Sequence, residues 1–379
     1  MQQNTSFLTN RLREREQAGL LRQLRISGDL IDFCSNDYLG QARSPALRQA
    51  IREAESQHSI SRNGATGSRL LAGHTDLVDA LESQLATFYQ TESALIFNSG
   101  YDANIGLLSS LPQRGDVLLT DELIHASMID GARLCYADRQ RFRHNDLEHL
   151  AQLMQGAYDR KAPGIFVAVE SVYSMDGDLA PLTELADLCD HYNAHLIVDE
   201  AHATGVYGPN GEGRVVELGL QERVLARIHT FGKGLGIHGA AIVGSNVLRE
   251  YLVNTARSFI YTTALPPHSL LAIRCAHEQV AMLHQEREQL HRRIAFFRKM
   301  AAQKLPDARW TDSSSPIQCL IITGNEVCRR IAATAQAAGY DVRAILGPTV
   351  PVGQERIRIC LHSFNTEDEI AGLMDALAS

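Results

Sequence analysis

The sequence predicts an α/β protein in which a mostly parallel sheet lies between helices, followed by a smaller C-terminal α+β domain. Short apolar runs alternate with helical stretches between about residues 75 and 245, as in parallel sheets that are covered on both faces. A long helical stretch, 267–305, separates this region from a second set of strands and helices. Polar residues follow the apolar runs, at the edge where such sheets bind ligands.

Apolar and β-branched runs predict the strands of the large domain at 94–98, 117–120, 165–170, 195–199, 227–231 and 240–244. Helices are predicted between most of them, including 76–89 and 182–192. In the small domain we expect strands at 317–322 and 357–361 and helices at 326–338 and 367–378. The chain then divides into an N-terminal segment 1–45, a large cofactor-binding domain 46–267 and a small C-terminal domain 268–379.

Composition and charge disfavour two classes of protein. The net charge is −8, whereas a nucleic-acid-binding protein is usually basic. No run approaches the roughly 20 apolar residues of a transmembrane helix, so no membrane contact is expected. The N-terminus lacks the apolar core of a secretory signal. Seven cysteines without a C-x-x-C pair indicate reduced thiols and a cytoplasmic protein.

The most specific constellation joins Asp199, at the end of a predicted strand, to Lys233, on the loop after a later strand. His202 follows Asp199 closely, and glycines flank Lys233, so a cofactor can approach the backbone there. A lysine in this setting can form a Schiff base with an aldehyde cofactor. Pyridoxal phosphate also needs an aspartate against its pyridine nitrogen. An ordinary Asp–Lys ion pair is the alternative interpretation.

Three further features are candidate parts of the same site. The segment 98–104 follows a strand and opens a helix, so its backbone N–H groups suit a phosphate, although a plain β–α turn explains it equally well. His125 could stack on an aromatic ring or could be an ordinary hydrogen-bonded side chain. Glu170 ends an apolar strand, where a turn alone explains it.

Other cofactor and metal chemistries lack their sequence signatures. The run Gly234-Leu-Gly-Ile-His-Gly fits the dinucleotide-binding pattern, but it leads into a strand instead of a helix. A nicotinamide-dependent oxidoreductase is therefore disfavoured. No HExxH motif, zinc-spaced Cys/His cluster or G-x-S-x-G elbow occurs, so no metal site is expected.

Four motifs resemble those of the α-oxoamine synthases, which are fold-type-I, aminotransferase-like enzymes that use pyridoxal phosphate. They are Ser35-Asn-Asp-Tyr-Leu-Gly, Ser174-Met-Asp-Gly-Asp, Asp199-Glu-Ala-His-Ala-Thr-Gly and Thr230-Phe-Gly-Lys. The resemblance extends from about residue 10 to residue 375. It implies that an amino acid condenses with an acyl thioester and that CO₂ is lost.

The stretches 233–244, 259–267 and 347–358 are most similar to one branch of this family. That branch joins L-alanine to a pimeloyl group carried by CoA or by an acyl-carrier protein. A branch that uses glycine and acetyl-CoA, or one that makes a longer aminoketone, is the nearest alternative. A non-catalytic binding protein of the same fold is a more distant one, because it would not need Lys233, Asp199 and His202 together.

The resemblance also implies a role for individual residues. Lys233 would hold the cofactor covalently, while Asp199 would pair with its pyridine nitrogen and His202 with its phenolic oxygen. His125 would stack on the ring and touch the substrate. The remaining cofactor contacts would come from Gly100, Tyr101, Ser174, Thr230 and, across a homodimer with shared active sites, Thr262 or Thr263. Substrate contacts would come from Asn36 and Arg358 for the amino-acid carboxylate and from Arg22 and Thr349 for the acyl group.

Overall fold

A computed structural model describes residues 5–378 except 19, 23, 25, 27, 59, 61 and 348. Residue 348, within one of the family-like stretches, therefore lies outside the described residues. The strands are β1 Ile31–Asp32, β2 Ser93–Phe97, β3 Val117–Asp121, β4 Asp138–Phe142, β5 Ile165–Glu170, β6 His195–Asp199, β7 Ala226–Thr230, β8 Ala240–Gly244, β9 Ile317–Ile321, β10 Tyr340–Asp341, β11 Arg343–Ile345 and β12 Arg356–Cys360.

The helices alternate with these strands along most of the chain. They are α1 Ser6–Gln17, α2 Pro45–Gln57, α3 Asp76–Phe88, α4 Gly100–Ser110, α5 Ala126–Leu134, α6 Leu147–Asp159, α7 Leu182–Tyr192, α8 Arg214–Glu217, α9 Asn246–Thr255, α10 Arg257–Ile260, α11 Pro267–Val280, α12 His284–Lys304, α13 Asn325–Ala337 and α14 Glu367–Ala378. The predicted long helical stretch 267–305 is therefore two helices, because the chain turns at residues 281–283.

The central sheet has the strand order β2-β8-β7-β6-β5-β3-β4. Strand β8 alone runs opposite to the other six strands of this sheet, so the prediction of a mostly parallel α/β sheet is confirmed. Strands such as β5 are buried along their whole length because helices cover both faces of the sheet. The sequence missed β4, an edge strand of charged and largely exposed residues that carries no apolar run.

Helix α4 begins directly after β2, and α5 begins after the loop that follows β3. The Ser99 hydroxyl caps α4 by accepting a hydrogen bond from the Asp102 N–H. His125 caps α5 through its ring nitrogen, which accepts from the Ser127 N–H. These caps fix both helix N-termini at the carboxyl edge of the sheet.

The C-terminal part contains a three-stranded antiparallel sheet in the order β11-β12-β9. The N-terminal segment joins it, because β1 pairs in parallel with β10. One apolar core cluster contains Phe33, Leu85, Leu271 and Ile359, and so connects the three predicted parts of the chain. The domain borders at residues 45 and 267 stay a prediction.

Among the residues that the structure describes, no helix is both long enough and apolar enough to span a bilayer.

Leu85→Ala tests the core between α3 and the C-terminal part. Leu85 is fully buried, so we expect the free energy of unfolding to fall by ~2–5 kcal/mol in chemical denaturation. Leu134→Ala is the matched control: its side chain is 60% exposed, and a change within ~0.5 kcal/mol is expected. Equal effects of the two substitutions would contradict the assigned core.

Candidate active site

The candidate site lies where the carboxyl ends of β5, β6 and β7 meet. Glu170 is opposite Asp199 in the strand register, and Asp199 is opposite Ile228, two residues before Thr230. A cavity of about 310 Å³ opens at this edge. Eight predicted site residues line it: Asn36, Gly100, Tyr101, His125, Asp199, His202, Thr230 and Lys233.

Asp199 is a buried carboxylate with two fixed donors. Its Oδ2 accepts from the Asn104 amide at 2.7 Å, and its Oδ1 accepts from the Ala201 N–H at 2.9 Å. Asn104 is held in turn by the Ser127 hydroxyl at 3.0 Å. Sequence analysis included Asn104 only as the end of the segment 98–104 and missed the contact of its side chain, because an asparagine inside a helix carries no motif. These donors hold the carboxylate in one orientation, and a carboxylate is the partner that a protonated ring nitrogen would take.

The Lys233 amine faces an imidazole. Its Nζ lies 3.0 Å from Nε2 of His202, and Nδ1 of that ring lies 2.6 Å from the Tyr38 hydroxyl. Burial lowers the pKa of Lys233, against the opposing effect of the Asp199 carboxylate. Burial, followed by the charges of Lys233 and Arg358, lowers the pKa of His202 well below its ordinary value. The lowered pKa values favour the neutral form of the His202 imidazole and shift the Lys233 amine toward its neutral form.

His125 forms one wall of the cavity. Its Nδ1 bonds the N–H and the hydroxyl of Ser127, at 3.2 and 2.7 Å, so the ring is held by the helix that it caps. Burial lowers the pKa of His125, and the Lys233 charge lowers it further, against the Asp199 carboxylate. A fixed and neutral ring suits stacking on an aromatic cofactor.

The N-terminus of α4 and the end of β7 come unusually close. A Cβ added to Gly100 would lie 2.2 Å from Cγ2 of Thr230, so only glycine fits this position. The first N–H groups of a helix have no intrahelical partner and attract anions. Gly100, Tyr101 and Thr230 therefore form a compact cradle that suits a phosphate group.

Arg358 is a buried guanidinium with three partners. It donates to Oδ1 of Asn36 at 3.1 Å, to the Ser174 carbonyl at 2.9 Å and to Sγ of Cys360 at 2.9 Å. Ser174 is thus brought to the site behind Arg358 and is not among the residues that line the cavity. Asn36 and Arg358 lie together, as an amino-acid carboxylate site requires.

Glu170 is the second buried carboxyl group of the cavity, and it was interpreted from the sequence only as part of a turn. Its Oε2 accepts from the Ser174 N–H at 3.1 Å, whereas Oε1 has no partner among the described residues. Burial and the neighbouring Asp199 carboxylate raise the pKa of Glu170 to about 8, against the Lys233 charge. Its position at a strand end beside Asp199 was the signal that could have identified it.

Besides Ser174 and Arg358, four predicted residues do not line this cavity. Arg22 and Thr349 line a second, larger cavity of about 650 Å³. Thr262 and Thr263 instead bond Asn98, whose amide nitrogen donates to the Thr262 hydroxyl at 2.9 Å and to the Thr263 carbonyl at 3.0 Å. Their roles toward the acyl group and toward a partner's cofactor stay predictions.

The residues of the smaller cavity fit pyridoxal phosphate. Lys233 can bond its aldehyde carbon, Asp199 offers a fixed carboxylate for the ring nitrogen, and the cradle at Gly100 offers N–H donors for the phosphate. By contrast, the glycine run 234–239 is not a dinucleotide site: Gly236 is packed against the backbone of Ala42, and the run enters β8 instead of a helix.

Comparison with known proteins agrees with this geometry. Residues 28–377 match the family of aminotransferases of class I and II. The 8-amino-7-oxononanoate synthase of Emericella nidulans is 42% identical, with 98% of this chain and 94% of that protein covered.

Two solved structures extend the likeness to the fold. The crystal structure of 8-amino-7-oxononanoate synthase from Francisella tularensis is 30% identical, with 92% of this chain and 97% of that chain covered and a TM-score of 0.78. A structure of serine palmitoyltransferase with pyridoxal phosphate is 27% identical, with 99% and 96% covered and a TM-score of 0.87.

Fold and site together define a pyridoxal phosphate enzyme of fold type I, as the sequence predicted. Its cofactor is pyridoxal phosphate. Within that class, the chain belongs to the aminotransferase class I and II family and, inside it, to the family of the 8-amino-7-oxononanoate synthases.

Gly100→Ala tests the phosphate cradle. The added methyl group collides with Thr230 and must separate α4 from β7. We expect the affinity for pyridoxal phosphate, titrated into cofactor-free protein, to fall at least about tenfold, which is ~1.4 kcal/mol. Gly156→Ala is the control, since nothing lies within 4 Å of its added Cβ in α6. Unchanged affinity in Gly100→Ala would contradict the cradle.

Glu170→Gln tests the raised pKa. A carboxyl group whose folded pKa is raised stabilises the fold at low pH and loses that contribution as pH rises toward about 8. Glutamine mimics the neutral acid at every pH. In denaturation of the cofactor-free protein, the variant should therefore gain stability relative to wild type between roughly pH 5 and pH 9. Exposed Glu250→Gln should show no such trend, and parallel pH curves for Glu170→Gln and wild type would contradict the assignment.

Proposed function

We propose that the chain condenses L-alanine with a pimeloyl thioester, releasing CO₂ and free thiol and giving 8-amino-7-oxononanoate, a step in biotin biosynthesis. The observation that carries the proposal is the convergence of Lys233, Asp199 and the Asn36–Arg358 pair on one cavity edge. An amino acid bound there has a base, a cofactor anchor and a carboxylate site within reach. The names of the relatives at 42% and 41% identity support the choice of substrates.

When bound, pyridoxal phosphate supplies an electron sink for the bonds that break at the α-carbon. Lys233 removes the α-proton, a step that needs a neutral amine and so benefits from the lowered pKa of this buried lysine. His202 holds the Lys233 amine in place from 3.0 Å. Asp199, fixed by Asn104 and Ala201, keeps its carboxylate available to a protonated ring nitrogen.

Arg358 and Asn36 bind and orient the carboxylate of the amino acid. A guanidinium binds a carboxylate through two parallel hydrogen bonds, which fixes the direction of the bond to the α-carbon. The Ser174 carbonyl holds Nε of Arg358 at 2.9 Å, so the guanidinium is already oriented before substrate arrives. This orientation decides which bond of the α-carbon breaks.

The acyl thioester is assigned to the larger cavity. Arg22 and Thr349 line it together with Arg15, Arg343 and Ile345. Guanidinium groups beside apolar walls suit an acyl chain attached to an anionic carrier, whether CoA or an acyl-carrier protein.

A homodimer in the cytoplasm completes the proposal. Leu70, Leu71 and Tyr261 are exposed apolar side chains, and such groups are typical of an interface when they lie together. The loop that carries the leucines is tied to the segment of Thr262 and Thr263, because the Ala264 N–H donates to the Gly67 carbonyl. The seven cysteines are free, which supports a reducing compartment.

The likeness to serine palmitoyltransferase suggests a second candidate function, in which L-serine condenses with a long-chain acyl thioester. Its structure superposes with a TM-score of 0.87, against 0.78 for the oxononanoate synthase structure. The sequence identities run the other way, at 27% and 30%. Substrate pairs separate the two candidates.

The test is thiol release by the cofactor-loaded protein with three pairs: L-alanine and pimeloyl-CoA, glycine and acetyl-CoA, and L-serine and palmitoyl-CoA. Release with the first pair alone is expected, and Lys233→Ala should abolish it. A pimeloyl-acyl-carrier protein replaces CoA in a parallel arm. Release with either other pair and not the first would overturn the substrate assignment.

Arg358→Ala tests the carboxylate site. Loss of a charged hydrogen-bonding pair costs ~1.5–3 kcal/mol, so KM for L-alanine should rise by about one to two orders of magnitude. KM for the thioester should change much less. Arg292→Ala, whose side chain is 67% exposed, is the control. An unchanged KM for alanine in Arg358→Ala would contradict the assignment.

A further inference from the structure

A row of hydrogen bonds connects Asp199 to His125 through two buried side chains. The amide nitrogen of Asn104 lies 2.7 Å from Oδ2 of Asp199 and 3.0 Å from the Ser127 hydroxyl. That hydroxyl lies 2.7 Å from Nδ1 of His125. Asn104 and Ser127 are only 2% and 1% exposed, so solvent does not compete for these contacts. The row joins the carboxylate assigned to the ring nitrogen of the cofactor to the imidazole assigned to the face of that ring.

The close packing of α4 against α5 makes this row possible. Asn104 lies on α4, and Ser127 lies in the first turn of α5. The helices meet at Gly131, where an added Cβ would lie 2.8 Å from the Asn104 carbonyl oxygen and 3.0 Å from Cβ of Leu108. The absence of a side chain at Gly131 therefore lets a short asparagine on one helix reach a serine on the other.

The donors and acceptors in this row can be assigned from their chemistry. The Asp199 carboxylate can only accept, so the Asn104 atom that faces it is the NH₂ group, whose second N–H donates to the Ser127 oxygen. The backbone N–H of Ser127 also points at Nδ1 of His125, at 3.2 Å, so this nitrogen offers its lone pair and carries no proton. The Ser127 hydroxyl then donates to Nδ1 as well. A neutral imidazole has one N–H, which in His125 is on Nε2.

We propose that Asn104 and Ser127 are positioning residues that hold His125 with its proton on Nε2, so that the ring presents an N–H donor to the amino-acid carboxylate. His125 lines the cavity, and its Nε2 has no hydrogen-bond partner among the described residues. Each oxygen of Asp199 accepts one donor from the protein and keeps a lone pair. The row is therefore compatible with a protonated ring nitrogen bound to Asp199.

The consequence for the reaction rests on the proposed function, in which the substrate carboxylate is bound beside Asn36 in the same cavity. An N–H on Nε2 of His125 adds a hydrogen bond to that carboxylate, whereas a proton on Nδ1 would turn a lone pair toward it. Asn104 fixes Asp199 and, through Ser127, the His125 donor. One buried amide thus orients two groups that act on the cofactor and the substrate.

Nitrogen NMR of the full-length protein tests where the His125 proton lies. The histidine rings are labelled with ¹⁵N, spectra are recorded with and without pyridoxal phosphate, and the His125 signals are assigned by their loss in His125→Gln. We expect a protonated Nε2 and an unprotonated Nδ1 in wild type in both states. Asn104→Asp should move the proton toward Nδ1, because a carboxyl oxygen now accepts the Ser127 hydroxyl proton. Ser127→Ala should give a mixture of the two tautomers.

Ser110→Ala is the matched control. The Ser110 hydroxyl is also buried and lies on the same helix as Asn104, but it donates to the Gly106 carbonyl at 2.6 Å. We expect this variant to keep the wild-type tautomer of His125 and the wild-type kinetics.

Steady-state kinetics give the second readout. Ser127→Ala should raise KM for L-alanine by about three- to thirtyfold, the effect of weakening one hydrogen bond to a charged group. KM for the thioester should stay unchanged, which a general loss of structure would not allow.

Three results would overturn the proposal: a protonated Nδ1 of His125 in wild type, the wild-type tautomer in Asn104→Asp, or an equal rise of KM for both substrates in Ser127→Ala. If wild type releases no thiol, the proposed function fails, whereas the NMR signals still decide where the His125 proton lies.

Discussion

The burial of a lysine amine among carboxyl groups and imidazoles is the constraint on which the rest of the site depends. A buried ammonium is costly, so burial lowers the pKa of Lys233, and the neighbouring acidic groups, Asp199 first, oppose that fall. The parallel register of β5, β6 and β7 brings these groups together. Strands β5 and β6 end side by side at Glu170 and Asp199, and Lys233 lies on the loop after β7. The result is an amine whose neutral, proton-accepting form is favoured over that of an exposed lysine.

Three separate parts of the chain meet at this lysine. The sheet contributes Asp199 and His202, the N-terminal segment contributes Asn36 and Tyr38, and β12 of the C-terminal part contributes Arg358. Pairing of β1 with β10 fixes the N-terminal segment to the C-terminal part. The Asn36–Arg358 pair, to which we assign the substrate carboxylate, therefore forms only when these parts of the chain are folded together. Substrate binding and the proton chemistry are in this way tied to the packing of the whole chain.

Much of the fold can be predicted from the sequence, because the central strands are buried on both faces and therefore consist of runs of apolar residues. Their predicted bounds differ from the observed ones by a residue at most, whereas the charged edge strand β4 left no such signal. Motif residues such as Lys233 and Asp199 were found because their spacing is distinctive. Asn104 and Tyr38 act through contacts between residues distant in sequence, at 2.7 Å to Asp199 and 2.6 Å to His202, which no local pattern reveals. The direction of β8 and the turn after α11 likewise depend on tertiary packing.

The central claim is that Lys233 alone carries the cofactor. Borohydride reduction of the cofactor-loaded protein, followed by peptide mapping by mass spectrometry, tests it most directly. The chain has four lysines, at positions 161, 233, 299 and 304. We expect one pyridoxyl group per chain, on Lys233. Modification of another lysine at full occupancy, or none on Lys233, would contradict it.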